Sequence, residues 1–294
     1  MTRRGGSGKY LSAMKNKKLW ILFPCTLLLL IALFAAWVLW ANTALTRTDY
    51  TVASTRLPQE FEGFCIAQVS DLHNAEMGTD NQILLDMLRQ ASPDIIVITG
   101  DVLDARRTDT EIVLTFMREA VQIAPCYMIT GNHEAAIDYS TYAEFEEAAQ
   151  DIGVTVLHNS TVKLERDGKS ITLLGLDDYN YSGTLLSPAQ IREFAGTEDF
   201  CIMLSHRPEY FDRYAAAGID VTFSGHAHGG QFRLPLIGGL YAPGQGVLPE
   251  YDCGVYTYEN ANMVVSRGIG NSSFPLRFNN RPELVIVTLT SQDE

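Results

Sequence analysis

Five short apolar stretches in this chain each run directly into a cluster of polar side chains, and this repeated pattern constrains the fold more than any other feature. With their polar ends, the stretches are FCIAQVSDLH, DIIVITGD, CYMITGNHE, DFCIMLSH and DVTFSGH. Segments with apolar residues at helical spacing, NQILLDMLRQ and TEIVLTFMREAVQ, lie between the first three. Strands that alternate with helices of this length predict βαβ units and a sheet covered on both faces.

The pattern changes after Asp151 to shorter segments that are typical of strands. Among them are VTVLH, TVKLER and SITLLGLDD, with a hairpin turn at Asp167-Gly168. The helical segment RPEYFDRYAAAG separates the last two apolar stretches, and the C-terminal part is rich in strands. We therefore predict one domain, a layered α/β sandwich without internal repeats.

The polar clusters are predicted to meet at one edge of the sheet, because the carboxyl ends of strands in open α/β sheets form the crevice that binds ligands. Five separate segments bring acidic, amide and imidazole side chains to this crevice. These side chains are Asp71, His73, Asp101, Asp104, Asn132, His133, Glu134, His206, His226 and His228. Five of the six histidines belong to this set, whereas His158 has no acidic or histidine neighbour in sequence and is interpreted as structural.

The five cysteines predict neither a disulfide framework nor a zinc knuckle, since they form no CxxC pair and have no regular spacing. Cys65, Cys126 and Cys201 lie inside strand-like apolar stretches, where we expect small buried side chains. Cys25 belongs to the apolar N-terminal stretch, and the surroundings of Cys253 leave its state open.

Residues 19–41 form an apolar segment without a single charge. About 20 such residues cross a bilayer as a helix, so we predict a transmembrane anchor. A cleaved signal peptide has an apolar region of only about 7–15 residues, and the residues after Arg3-Arg4 are Gly-Gly-Ser-Gly, unlike a twin-arginine signal. Lysines precede the segment, which by the positive-inside rule predicts a cytoplasmic N-terminus and an extracytoplasmic domain at the cytoplasmic membrane.

Charge is divided unevenly along the chain. Residues 1–41 hold six basic side chains and no acidic one, whereas the remainder has 16 basic and 35 acidic residues, a net charge of −19. Such a surface repels phosphate backbones unless metal ions intervene, which argues against a nucleic-acid-binding module.

The order of the motifs DxH, GDxxD, GNHE, a later lone His and GHxH resembles the calcineurin-like metallophosphoesterase superfamily, and all five occur here in that order. The segments GHAHGGQFRLPLIGGLYAPGQG and SRGIGNSSFPLRFNNRPE are similar to its bacterial branch of membrane-anchored or exported phosphoesterases of the YkuE/YaeI type. The resemblance covers about residues 60–290. It implies an α/β/β/α sandwich, here preceded by the transmembrane helix.

The resemblance also implies two divalent metal ions, one bound by Asp71, His73 and His228 and the other by Asn132, His206 and His226. Asp101 would bridge both ions. Carboxylate, amide and imidazole ligands without thiolates suit Mn, Fe or Zn, but do not distinguish among them.

The remaining site residues are assigned by the same resemblance. His133 would not bind metal but would act beside the leaving group as a catalytic residue, with Asp101 as the bridging catalytic ligand. Asp104 and Glu134 would orient imidazoles or anchor loops. Arg277 would contact the phosphate oxygens of the substrate, although an ordinary surface arginine is an equal alternative.

The implied reaction is hydrolysis of a phosphate mono- or diester by a hydroxide that bridges the metals, with envelope and lipid-linked molecules among the candidate substrates. One alternative is an enzyme resembling UDP-2,3-diacylglucosamine pyrophosphatase of lipid A synthesis, which requires an active site facing the cytoplasm. Another is a non-catalytic, membrane-tethered metal-binding module, which the complete ligand set disfavours.

Four segments follow from these interpretations. Residues 1–18 are predicted to form a cytoplasmic basic tail, 19–41 the transmembrane anchor, 42–59 a connector with the first strand from Tyr50 to Ser54, and 60–294 the catalytic domain. The oligomeric state is not encoded in any pattern that we recognise.

Overall fold

The computed structural model describes residues 7–196, 199–271 and 274–291 of the chain. Its α-helices are α1 (Ser7–Thr43), α2 (Gln82–Ala91), α3 (Thr110–Ala120), α4 (Tyr139–Ile152), α5 (Tyr179–Ser182), α6 (Pro188–Ala195) and α7 (Phe211–Ala216). The first nine strands are β1 (Thr46–Ala53), β2 (Cys65–Val69), β3 (Ile95–Ile98), β4 (Cys126–Met128), β5 (Thr155–Val156), β6 (Ser160–Arg166), β7 (Lys169–Gly175), β8 (Cys201–Leu204) and β9 (Val221–Ser224). The remaining strands are β10 (Arg233–Leu234), β11 (Gly238–Gly239), β12 (Tyr241–Ala242), β13 (Gly246–Val247), β14 (Gly254–Tyr258), β15 (Ala261–Val265) and β16 (Glu283–Thr290). Single turns of 3₁₀ helix lie at Gln59–Phe61, Thr79–Asn81, Glu134–Ala136, Pro208–Tyr210 and His228–Gly230.

Two six-stranded sheets form the centre of the fold. The first has the order β1-β16-β2-β3-β4-β5 and the second the order β14-β15-β9-β8-β7-β6. Strands β2 to β5 are parallel to one another, as are β7, β8, β9 and β15. Two short hairpins, β10-β11 and β12-β13, project from the region between β9 and β14.

The sheets pack face to face with helices on both outer sides. Ile66, Val97, Ile202 and Phe223, from both sheets, share one buried cluster. A second cluster joins the outer face of the first sheet to α2, α3 and α4, and a third joins the second sheet to α6 and α7. This confirms the predicted α/β/β/α sandwich, since each sheet buries both of its faces.

The parallel strands explain why polar side chains collect at one edge. Strands β2, β3 and β4 of the first sheet and β8 and β9 of the second each end just before one of the five polar clusters. Because neighbouring parallel strands end at the same edge, the loops after them form a single crevice. The two sheets therefore contribute ligand loops from opposite sides.

Helix α1 contains the predicted transmembrane segment. Residues Phe23–Thr43 contain an 18-residue stretch with a mean hydropathy of 2.3 and no buried residue, which makes this segment a membrane-span candidate by length and composition. Of the predicted basic tail, residues 7–18 belong to α1 and residues 1–6 lie outside the described residues. After α1 the chain enters β1, which pairs with β16 over its whole length.

His158 and the cysteines lie away from the crevice loops. His158 is half-buried between Asp177 and Glu146, at 2.8 and 3.0 Å, and the hydrogen bond to Asp177 raises its pKa to about 9. The five cysteines are free thiols; Cys126 and Cys201 are buried, as predicted, while Cys65 is half-buried. Burial raises the pKa of both buried thiols to about 12, which makes them poor nucleophiles.

Candidate metal centre

The side chains of Asp71, His73 and His228 converge from two loops, those after β2 and β9, and all are buried. Nε2 of His228 lies 3.4 Å from Oδ1 of Asp71 and 3.3 Å from Nε2 of His73. Two imidazoles and a carboxylate whose ligand atoms lie this close can hold one divalent ion. This is the group that the sequence predicted for the first metal.

A second buried group consists of Asp101, His206 and His226. Oδ2 of Asp101 lies 3.3 Å from Nε2 of His206 and 3.7 Å from Nε2 of His73, so this carboxylate faces both groups. Such a position is the one expected of a ligand that bridges two ions. Asn132, the amide ligand predicted for the second metal, lies on the loop directly after β4, and its role as a ligand stays a prediction.

Unpaired polar atoms provide a direct test of whether a cation fits here. Nε2 of His206 and Oδ1 of Asn132 are buried and have no hydrogen-bond partner. Nδ1 of His206 lies 2.8 Å from the carbonyl oxygen of Thr99, which can only accept, so Nδ1 carries a proton and Nε2 is the nitrogen left to bind a metal ion. Buried lone pairs without a partner are costly in a folded protein, and a bound metal ion satisfies them.

Electrostatics favours positive charge between the two groups. Burial lowers the pKa of His73 to about 3 and holds those of His226 and His228 well below the ordinary value, which leaves these rings in the neutral form that binds metals. Burial also acts to lower the pKa of His206, but the negative charge of Asp101 outweighs it and raises the pKa to about 10. At neutral pH a proton therefore occupies Nε2 of His206 opposite Asp101, and a metal ion bound at this nitrogen would replace that proton.

The ligand loops are backbone-strained and closely packed. Asp71, His73, Asp101, His226 and His228 all have positive φ angles, between 47° and 65°. Non-glycine residues rarely adopt this region, and those that do cluster at functional sites. A Cβ atom at Gly225 would collide with Ser70 and Asp71, and one at Gly131 would collide with Asp101. Both glycines thus allow the loops to approach the ligands closely.

Glu134 ties two of the ligand loops together. Its buried carboxylate accepts hydrogen bonds from the backbone N–H groups of Asp101, Leu103 and Gly131, at 2.8, 3.0 and 2.7 Å. The loops after β3 and β4 are therefore joined through one side chain, which is the anchoring role predicted for Glu134.

Glu134→Ala is expected to lower the free energy of unfolding by about 2–4 kcal/mol, since three buried donors lose their acceptor. Urea denaturation of the full chain in detergent measures this. Glu144→Ala, on the exposed face of α4, is the matched control and should change stability by less than about 0.5 kcal/mol. Equal effects of the two substitutions would contradict the anchoring role.

His133 is held in one orientation by its neighbours. Its backbone N–H donates to Oδ1 of Asp101 at 2.7 Å, and its Nδ1 accepts from the backbone N–H of Ala105 at 3.1 Å. The proton of the neutral ring therefore lies on Nε2. Oδ1 of Asp104 is 3.6 Å from Nδ1, so Asp104 lies behind the ring, as expected for an orienting carboxylate. His133 is also near enough to His73 and Asp101 to form a third potential ligand group with them.

Arg277 does not face the crevice as a substrate contact would. Its side chain is only 1% exposed, and its guanidinium donates to the carbonyl oxygens of Arg267 and Gly270 and to Oδ1 of Asn271. Nη2 also lies 3.3 Å from Nδ1 of His228. The predicted contact with phosphate does not fit these interactions, because the donors are already used to hold the loop behind His228.

The sequence interpretation missed Arg207, the residue directly after His206. Its Nη1 lies 2.9 Å from Nε2 of His226, and its Nε donates to Asp178 at 2.5 Å. A metal ion bound at Nε2 of His226 would replace the hydrogen bond from Arg207. The ion pair between Arg207 and Asp178 can persist. Asp178 also caps α5, where its side chain accepts a hydrogen bond from the backbone N–H of Asn180.

Asn42, in the last turn of α1, was also missed. Its Oδ1 accepts from the backbone N–H of Arg277 at 2.7 Å, and its Nδ2 donates to the carbonyl of the same residue at 3.0 Å. The end of the apolar helix is thus joined to the loop that supports His228. No local signal in an apolar segment points to such a distant partner.

The chain is similar in sequence to several metallophosphoesterases. Metallophosphoesterase YkuE of Bacillus subtilis is 32% identical over 254 residues, which cover 83% of this chain and 85% of YkuE. Phosphodiesterase YaeI of Escherichia coli is 26% identical over 201 residues, 68% of this chain and 72% of YaeI. A Danio rerio transmembrane protein with a metallophosphoesterase domain is 28% identical over 258 residues, 82% of this chain and 56% of that protein.

The pattern of the calcineurin-like phosphoesterases matches residues 65–230. This range contains every predicted metal ligand, and members of the family hydrolyse phosphoric esters with two divalent metals. The fold, the buried ligand groups and the match together identify the chain as a member of the calcineurin-like phosphoesterase family and a hydrolase of phosphoric esters.

Proposed function

We propose that the chain is a membrane-anchored phosphoesterase that uses two divalent cations to hydrolyse phosphate mono- or diesters. The proposed ligands are Asp71, His73 and His228 for one cation and Asn132, His206 and His226 for the other, with Asp101 shared. The observation that carries this proposal is the position of Asp101, whose Oδ2 lies within 3.7 Å of imidazoles from both groups. The name of YaeI, a phosphodiesterase, supports diesters as one substrate class.

The residues of the chain have distinct roles in this reaction. When bound, the cations supply a water nucleophile of lowered pKa and offset negative charge on the phosphoryl oxygens. In its charged, doubly protonated form His133 donates the proton on Nε2 to the departing ester oxygen and returns to the neutral ring. Asp104, whose Oδ1 lies 3.6 Å from Nδ1, stabilises the charged form. A cleft of about 420 Å³, lined by His73, Asn74 and Arg107 among others, gives the substrate access to these groups.

Removal of metal is the first test of this proposal. We expect chelation of the full chain in detergent to reduce hydrolysis of bis(p-nitrophenyl) phosphate at least about 100-fold, and added Mn²⁺ to restore it. The melting temperature should rise with Mn²⁺ concentration, because a ligand that binds only the folded state stabilises it. Activity that survives in a chain shown by metal analysis to be metal-free would refute the two-cation mechanism.

The anchor and its orientation form the second part of the proposal. The apolar Phe23–Thr43 segment and the transmembrane relative of Danio rerio support a membrane span, and the six basic residues before position 41 support a cytoplasmic N-terminus.

We expect a C-terminal tag to be digested by protease added to intact spheroplasts, with an N-terminal tag protected as the control. The reverse pattern would contradict the outward orientation. It would favour the alternative enzyme that acts on a UDP-linked diacylglucosamine at the cytoplasmic side.

A further inference from the structure

Beside the metal centre lies a surface of exposed apolar side chains, which we call the apolar rim. It consists of Leu236, Ile237, Val247, Leu248, Phe274 and Leu276. These side chains are between 40% and 108% exposed. Soluble proteins rarely leave so many large apolar groups uncovered in one region, and such patches mark interaction surfaces.

Contacts join the rim to the membrane-span candidate. Phe278, two residues after Leu276, packs its ring edge against Trp37 of α1, with centroids 5.5 Å apart, and lies 6.3 Å from Phe34. The backbone N–H of Arg233, at the base of the β10-β11 hairpin, donates to the carbonyl of Phe278 at 3.0 Å. The rim therefore continues directly from the surface of α1.

The same contacts join the rim to the metal centre. The side chain of Gln231, three residues after His228, donates to the carbonyls of Phe274 and Leu276 at 3.0 and 2.7 Å. The cleft that contains His73 has Asn271 and Pro275 in its wall. Since Pro275 lies between two rim residues, the cleft opens at the edge of the rim.

One arginine lies where the rim meets the end of the membrane-span candidate. Arg281 donates to the carbonyl oxygens of Ala44 and Leu45, and its guanidinium lies over the ring of Trp40, 5.0 Å from the centroid. Tryptophan and arginine at the end of an apolar helix are typical of the membrane–water interface.

We propose that the apolar rim lies in the headgroup region of the membrane that α1 enters, and that the cleft receives a phosphate ester carried by a membrane lipid. This inference rests on the proposed function. Water adds to phosphorus, the ester P–O bond breaks, and the lipid alcohol departs with the proton from His133, so that a lipid alcohol and a phosphate are released. The acyl chains remain in the bilayer beside the rim.

Immersion of the rim is tested without reference to activity. The full chain carries the substitution Leu236→Cys, with Cys25, Cys65 and Cys253 replaced by serine, and a nitroxide label is attached to the new cysteine. The labelled protein is reconstituted in phosphatidylglycerol–phosphatidylcholine vesicles. The control label is placed at Phe194→Cys on α6, which is 40% exposed and packs on the second sheet near β6 and β7. We expect oxygen, which concentrates in the bilayer, to relax the label at 236 more than a water-soluble nickel chelate does. The label at 194 should be relaxed more by the nickel chelate than by oxygen.

The substrate class is tested with a matched pair of phosphatidic acids. One has dioleoyl chains and is embedded in vesicles, and the other has soluble dihexanoyl chains. We expect the double variant Leu236→Asp/Leu248→Asp to lower the ratio of vesicle to soluble hydrolysis at least tenfold, and Phe194→Asp to leave it unchanged. Phosphatidylglycerol vesicles, scored by released glycerol phosphate, extend the test to diesters.

Several results would overturn the inference. A label at 236 that behaves like the label at 194, or that is shielded from both relaxants by a second copy of the chain, would place the rim outside the membrane. Cleavage of the soluble ester with no release from either vesicle lipid would exclude the substrate class. Failure of the proposed function itself would look different, because neither the vesicle nor the soluble ester would then be cleaved.

Discussion

Asp101→Ala is expected to lower kcat/KM at least about 10³-fold, equivalent to about 4 kcal/mol of transition-state stabilisation. The carboxylate of Asp101 lies 3.3 Å from Nε2 of His206 and 3.7 Å from that of His73, so its removal takes a ligand from both cations at once. It also accepts the backbone N–H of His133 at 2.7 Å, which fixes the proposed proton donor. Steady-state hydrolysis of bis(p-nitrophenyl) phosphate and metal analysis of the same sample measure the two effects.

The control for this experiment is Asp86→Ala, which removes a carboxylate from the exposed surface of α2. We expect it to keep the metal content and activity of the unchanged chain. Circular dichroism of both variants verifies that they fold. An Asp101→Ala chain that is folded, retains its full metal content and stays active would contradict the shared-ligand role.

His133→Ala is expected to lower kcat by about 10²–10⁴-fold for esters with alkyl leaving groups, while the metal content stays unchanged. The reason is geometric: Nδ1 lies towards Ala105 and Asp104, at 3.1 and 3.6 Å, so Nε2 is the nitrogen from which the charged ring can transfer a proton. A p-nitrophenolate leaving group needs little protonation, and we expect a much smaller loss with p-nitrophenyl esters. The comparison of leaving groups separates proton donation from a structural defect.

His158→Ala is the matched control, because His158 interacts with Asp177 and Glu146 outside the ligand groups. His158→Ala should leave the ratio of kcat for alkyl esters to kcat for p-nitrophenyl esters unchanged. An equal loss for both kinds of leaving group in His133→Ala, together with loss of metal, would instead identify His133 as a ligand, the role allowed by its nearness to His73 and Asp101.

Much of the layered fold could be predicted because its signals are local. Apolar runs such as IIVI of β3 and the helical spacing in α2 and α3 define each element from neighbouring residues alone. The boundaries were less accurate. The first strand was predicted to begin at Tyr50 but begins at Thr46, because β16 supplies backbone partners along its whole length. Strand pairing of this kind depends on residues more than 200 positions away.

The sequence by itself determined the chemistry of the candidate centre. Aspartate, histidine and asparagine follow strand after strand, and parallel strands that end at one edge bring such residues together whatever the details of packing. For this reason Asp71, His73, Asp101, His206, His226 and His228 could be grouped before their distances were known.

Only the tertiary structure decided which way the supporting side chains face. Arg277 points behind His228, Arg207 contacts His226, and Asn42 of α1 clamps the Arg277 backbone. The apolar rim likewise becomes a single surface only through contacts between the two hairpins, the loop before β16 and α1. The physical reason is that long polar side chains choose among acceptors that distant segments provide, and the local sequence carries no record of those acceptors.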